Sequence, residues 1–235
     1  MMKRFYDDVA IRAADDLWQV TLDGRGLKTV KGTAQLVPTK ALALELAKEW
    51  SAQGEELDPK SFPLRDASDY AIDVVAPDPA ALADKLTQYG DTDTLLYRAD
   101  PDEHLYARQQ EVWEPIVTAL EAREGITLNR VSGIIHRDQD KAALARLRER
   151  LIGLDPFALA GLEVMTSLSA SLIIGLSAHD TSNPDEALEL WRAACLEEEW
   201  QADLWGRDHE AEERRAQRQA DFLSAHQLIS LSKAA

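Results

Sequence analysis

The apolar residues of this chain change their period once, near residue 40, and that change restricts the folds open to it. Before it, Trp18, Val20 and Leu22 alternate with Gln19 and Thr21, the period-two pattern of a strand with one buried face. DGRG at 23–26 follows, and its two glycines permit the positive φ of a hairpin turn, so the chain is expected to fold back through LKTV and AQLVP. Neither a third glycine nor a helix comes next, which separates this turn from a nucleotide-binding loop. Beyond residue 40 the period is helical almost to the end. Thr39 can cap a helix over 40–53, in which Leu42, Leu46 and Trp50 form one buried stripe.

A second helix is expected over 64–75, and Pro77 and Pro79 then interrupt the chain. The spacing therefore predicts an α+β fold: a small β-rich N-terminal domain, 1–76, followed by a larger, mainly α-helical C-terminal domain, 77–235. In the second part, Leu105, Gln109, Val112, Ile116 and Leu120 mark one face of a helix that Pro115 should kink. VSGIIHRD is a short apolar piece before a charged amphipathic helix near 139–152. The weakly polar run 156–178 reads as a single buried central helix; Glu163 interrupts it and no basic residues flank it, against a membrane span. Further helices are expected at about 185–205 and 209–224.

A net charge of -16 without a basic stripe excludes nucleic acid as a partner, and disfavours anionic membrane surfaces. One cysteine, Cys195, cannot form an intrachain disulfide or a cysteine-based zinc cluster. The N-terminus shows no secretory signal and no transit segment, so a cytoplasmic location is expected. No hydrolase elbow, phosphate loop or zinc-protease motif is present, and the five histidines, at 104, 136, 179, 209 and 226, have no ligand spacing. His209 and Glu213 stand four apart, but two ligands on one turn bind a metal weakly. Asp91, Asp93 and Arg98 could suggest acid chemistry; carboxylates capping a tight turn explain the two aspartates more simply.

The stretch LEEEWQADLWGRDHEAEERRAQRQADF, 196–222, is the least ordinary part of the chain. On a helix over 185–205, Leu188, Trp191, Cys195, Ala202 and Trp205 make one stripe, with Glu198 inside it. Ala193, Leu196, Trp200 and Leu204 gather on the opposite side. Glu197 and Gln201 lie on one flank between the stripes, Glu199 and Asp203 on the other. A helix apolar on two sides is either sandwiched or offers one side to a partner. A carboxylate in such a stripe needs a neighbour, either Arg146, Arg148, Arg214 or Arg215 of this chain, or a basic group of another protein. The later acids, Asp208, Glu210, Glu212 and Glu213, read as a solvated face.

KRFYDDVAI, LDGRGLKT, LALELAKEW with its downstream FPL, YGDTDTLLYRA and LEEEWQADLWGRD occur in this order from residue 3 onward. On these segments the chain resembles the assembly chaperone of the F-type ATP synthase that protects the α subunit, a family of mitochondria and α-proteobacteria. The resemblance implies a non-enzymatic chaperone with no cofactor, metal or small-molecule substrate, whose partner is the free α subunit until β arrives. It points to an acidic position in the last motif, hence to Glu197, Glu198 or Glu199, of which the stripe favours Glu198. Together with Trp200, Asp203 and Trp205 these are the expected partner-binding residues. The rival readings are a carboxylate-dependent hydrolase using the 91–93 turn and the C-terminal helices, and a subunit that remains in the mature complex.

Overall fold

Residues 9–14 and 17–22 pair as antiparallel strands β1 (Val9–Ala14) and β2 (Leu17–Leu22), and Asp23 and Gly24, both at positive φ, reverse the chain into β3 (Arg25–Gly26). The structure, a computed structural model, describes residues 2–133, 137–206 and 208–233. A two-residue Asp-Gly loop with both φ positive matches the twist of the strands it joins, as the DGRG reading anticipates. The return strand is shorter than expected: past Gly26 only isolated bridges remain, Lys28 with Ala34 and Trp18 with Val37. Gln19 and Thr21, expected to face solvent, are buried. Their polar atoms are satisfied there, since Gln19 Nε2 donates to the Leu27 carbonyl at 2.7 Å and Gln19 Oε1 accepts from Arg12 Nη2 at 2.6 Å.

The chain packs as two compact units, Met1–Pro79 with Asp155–Gly161 and Gln227–Ala235, and Ala80–Leu154 with Leu162–His226. In the first, α1 (Lys40–Ser51) packs on β1 and β2, and Thr39 caps it by accepting from the Leu42 amide at 3.1 Å. Trp50 ends the Leu42–Leu46 stripe, edge-on to Tyr6 at 5.6 Å and tilted on Phe62 at 4.6 Å. Helix α2 (Pro63–Tyr70) continues as one π-helical turn, Ala71–Val75. Glu49 of α1 accepts from the Leu64 and Arg65 amides at the start of α2, and burial holds its carboxyl up at about 6.

The second unit holds α3 (Pro79–Asp91), whose last twelve residues belong to it, a two-residue parallel pair β4 (Tyr97–Arg98) and β5 (Val131–Ser132), α4 (His104–Glu124) and α5 (Lys141–Ile152). Ile134, Ile135 and His136 of the VSGIIHRD segment lie outside the described residues. Helix α4 runs through Pro115, but its buried face is Gln109, Trp113, Val117 and Leu120. Val112 and Ile116, expected in that face, are only half-buried because Trp113 rotates the core-facing stripe by one residue.

The run 156–178 is two helices, α6 (Pro156–Ser169) and α7 (Leu172–His179), not one. Ala170 sits at φ 48 and Ser171 turns extended, its hydroxyl accepting from the Ile174 amide at 3.0 Å. The fully buried Asp93 takes the Ile173 amide at 2.9 Å and, through its other oxygen, the Leu95 amide at 3.0 Å. A break without glycine or proline is thus held by a serine cap and a carboxylate from eighty residues away. Glu163, which interrupts the run, is met by Lys85 Nζ at 2.6 Å. Among the described residues no helix is long and apolar enough to cross a membrane.

Candidate functional site

The expected helix 185–205 is also divided, into α8 (Pro184–Ala194) and α9 (Leu196–Trp205). At the joint, Cys195 leaves helical geometry at φ -83, ψ 4, while its carbonyl still accepts from the Glu199 amide at 2.9 Å. The rotation splits the two stripes that a continuous helix would carry. Ala187, Trp191, Ala193, Cys195 and Leu196 are buried, and Trp113 Nε1 donates to the Ala193 carbonyl at 2.7 Å. Leu204 and Trp205 project into solvent, Trp205 with 86% of its surface exposed. Gly206, at φ 97 and ψ 155, then ends α9 in a conformation open to glycine alone. α10 (His209–Ser232) returns alongside, eight residues longer than its pattern suggests.

The six expected contact residues fall into three places. Glu197 points inward, and its Oε1 accepts from Nε2 of the buried Gln109 at 2.6 Å. Burial raises its carboxyl pKa against the opposing effect of that hydrogen bond. Glu198 is not in an apolar stripe; both its oxygens meet Arg218 Nη1, at 2.9 and 3.1 Å. Arg218 lies on α10, reaches the Leu168 carbonyl with its other nitrogen and stacks over Trp191 at 5.3 Å. Of the four arginines offered by the sequence, only Arg215 approaches Glu198, at 3.9 Å, and it sits closer to Glu199, at 3.2 Å. Glu197 and Glu198 line a small cavity of about 150 Å³ with Arg218, apart from the other four.

Glu199, Trp200 and Asp203 line one open groove of about 620 Å³, together with Val112 of α4, Trp191 and Arg215. Trp205 does not line it. The groove has apolar walls from two tryptophans and a mixed charged rim. Cys195 forms part of the wall, but burial pushes its thiol up to about 11, so it carries little thiolate near neutrality. The groove suits contact with a polypeptide, through aromatic surface flanked by both carboxylates and arginines.

The rival acid cluster is tied up in the fold. Asp91 accepts from the Gln139 amide at 2.8 Å, Asp93 is buried on backbone amides, and Arg98 is buried between the Gln109 carbonyl and Glu114. Asp91 and Asp93 line neither of these cavities. His209 and Glu213 lie 3.5 Å apart on the exposed start of α10, and among the described residues no group of three or more potential ligands could hold a metal. Gln109 and Arg218, the partners that decide the roles of Glu197 and Glu198, carry no sequence signal linking them to α9. They meet it only through tertiary packing.

The chain is similar to known proteins over nearly its whole length. The family model of the ATP12 chaperone protein matches residues 3–121. The crystal structure of Atp12 from Paracoccus denitrificans is similar over 99% of each chain, with 36% identity and a TM-score of 0.92. A crystal structure from Agrobacterium tumefaciens matches with 36% identity and a TM-score of 0.92, over 98% of this chain and 86% of that one. The mitochondrial protein atp12 of Schizosaccharomyces pombe is 27% identical over 224 residues, 90% of this chain and 76% of the relative. With this agreement along almost the whole length, the chain belongs to the ATP12 chaperone family.

Proposed function

We propose that this protein is an assembly chaperone that binds the unassembled α subunit of the F-type ATP synthase and keeps it from aggregating until β replaces it. The observation that carries the reading is the open end of α9. Leu204 and Trp205 are held in solvent next to a groove containing Trp200 and edged by Glu199 and Asp203. A monomer gains nothing from exposing such residues, whereas a partner can bury them at ~25 cal/mol per Å² of apolar area. An unassembled subunit exposes the apolar surface it will later bury against its neighbour. Glu189, Glu199 and Asp203 line the groove together with Arg108, Arg192 and Arg215, and such a mixed rim fixes the register of a bound surface through complementary charge pairs.

Binding of this kind is reversible, as handover to another subunit requires. The reading is tested by co-expression with isolated α and β subunits, followed by purification of this protein. Retention of α without β is expected, with weaker capture as salt rises. Retention of β alone, or of neither, would contradict it.

A further inference from the structure

The displaced face of α4 has a use of its own. Val112 and Ile116 are left half-buried by the rotation toward Trp113. With Leu190 of α8 they floor an open hollow of about 550 Å³. Its rim carries Asp185, Glu186 and Glu189, and among the described residues no lysine or arginine lines it. The first two acids lie in the opening turn of α8, where the helix dipole favours them, and Asn183 caps that turn at 3.0 Å. Glu186 is steadied by Thr181 Oγ1 at 2.5 Å, and Glu189 is paired outward with Arg192 at 2.5 Å. The hollow adjoins the α9 groove, since Val112, Glu189 and Ala193 line both.

We infer that this hollow is a second contact for the same client, receiving a short segment that carries a large apolar side chain flanked by lysine or arginine. The inference rests on the α-subunit reading and adds the chemistry of the segment. Charge selects the occupant: an apolar floor whose charged rim residues, Asp185, Glu186 and Glu189, are all carboxylates favours a basic-edged peptide. A second copy of this chain would bring another net charge of -16 to the same rim.

The test uses the full chain and purified α subunit. The double variant Ile116→Ser, Leu190→Ser removes the floor at positions that are not in the core. It is expected to remain folded, with a thermal midpoint lowered by only a few degrees, and to weaken α-subunit binding about tenfold. Asp185→Asn with Glu186→Gln should weaken binding less and flatten its salt dependence. A photo-crosslinker placed at 116 should capture α. Binding by the Ser double variant equal to wild type, or crosslinking at 116 to a second copy of this chain, would overturn the inference while leaving the α-subunit reading standing. If the unaltered protein fails to retain α, that reading falls and the assignment of the hollow falls with it.

Discussion

The two halves of α9 carry similar residues and do opposite things. From Leu196 to Glu198 the helix is tied to its neighbours: Leu196 is buried, Glu197 is bonded to Gln109, and the exposed Glu198 is paired with Arg218. From Trp200 to Trp205 it opens, ending on two large apolar side chains in solvent. Tryptophan and carboxylate therefore have no fixed meaning along this motif. What differs is how far the opposing elements reach: α4 and α10 hold the first half through Gln109 and Arg218, and leave Leu204 and Trp205 uncovered. Within one run of three glutamates, the first turns in to Gln109 and the other two pair with arginines of α10.

The division can be sharpened by substitutions on both sides, read first as stability. Leu196→Ala, on the closed half, should cost about 2–3 kcal/mol, as removal of a well-packed leucine does, and urea titration would measure it. Glu198→Lys places a third cation beside Arg215 and Arg218 and should cost roughly 1 kcal/mol, less at high salt because the pair is partly exposed. Loss of client protection in that variant would follow from a loosened α9, so it does not identify Glu198 as a contact.

Glu197→Gln makes a smaller change with a defined sign. Burial raises the Glu197 pKa in the fold above its unfolded value, so folding favours the protonated acid. That contribution is fully present below the unfolded value of 4.5 and is lost as pH rises through the folded value. The thermal midpoint of the Gln variant relative to wild type should therefore rise between about pH 4.5 and neutrality. A difference that stays constant with pH would mean that Glu197 is better solvated than its place beside Gln109 implies.

Much of the first unit was legible because its signals are local. An Asp-Gly turn, a threonine cap and a leucine–leucine–tryptophan stripe each act within a few residues, and the structure has all three. The misreadings share a different cause. The breaks at Ala170 and Cys195 contain neither glycine nor proline, and the first is held by Asp93, remote in sequence. Once the helix bends at Cys195, an angular plot over 185–205 cannot place Glu198, and its partner twenty residues away on α10 is beyond any periodicity rule. The exposed Trp205 was legible as a residue of interest, but its openness was not, because it depends on Gly206 turning the chain away.

The most direct measurement is the suppression of α-subunit aggregation by the variant Leu204→Ser, Trp205→Ser. Both side chains are already in solvent, so the variant should keep the wild-type stability within about 0.5 kcal/mol. It is predicted to be folded and unable to protect the α subunit at concentrations where the wild type does so fully. Full protection by that folded variant would contradict the assignment of the open end of α9 as the client contact.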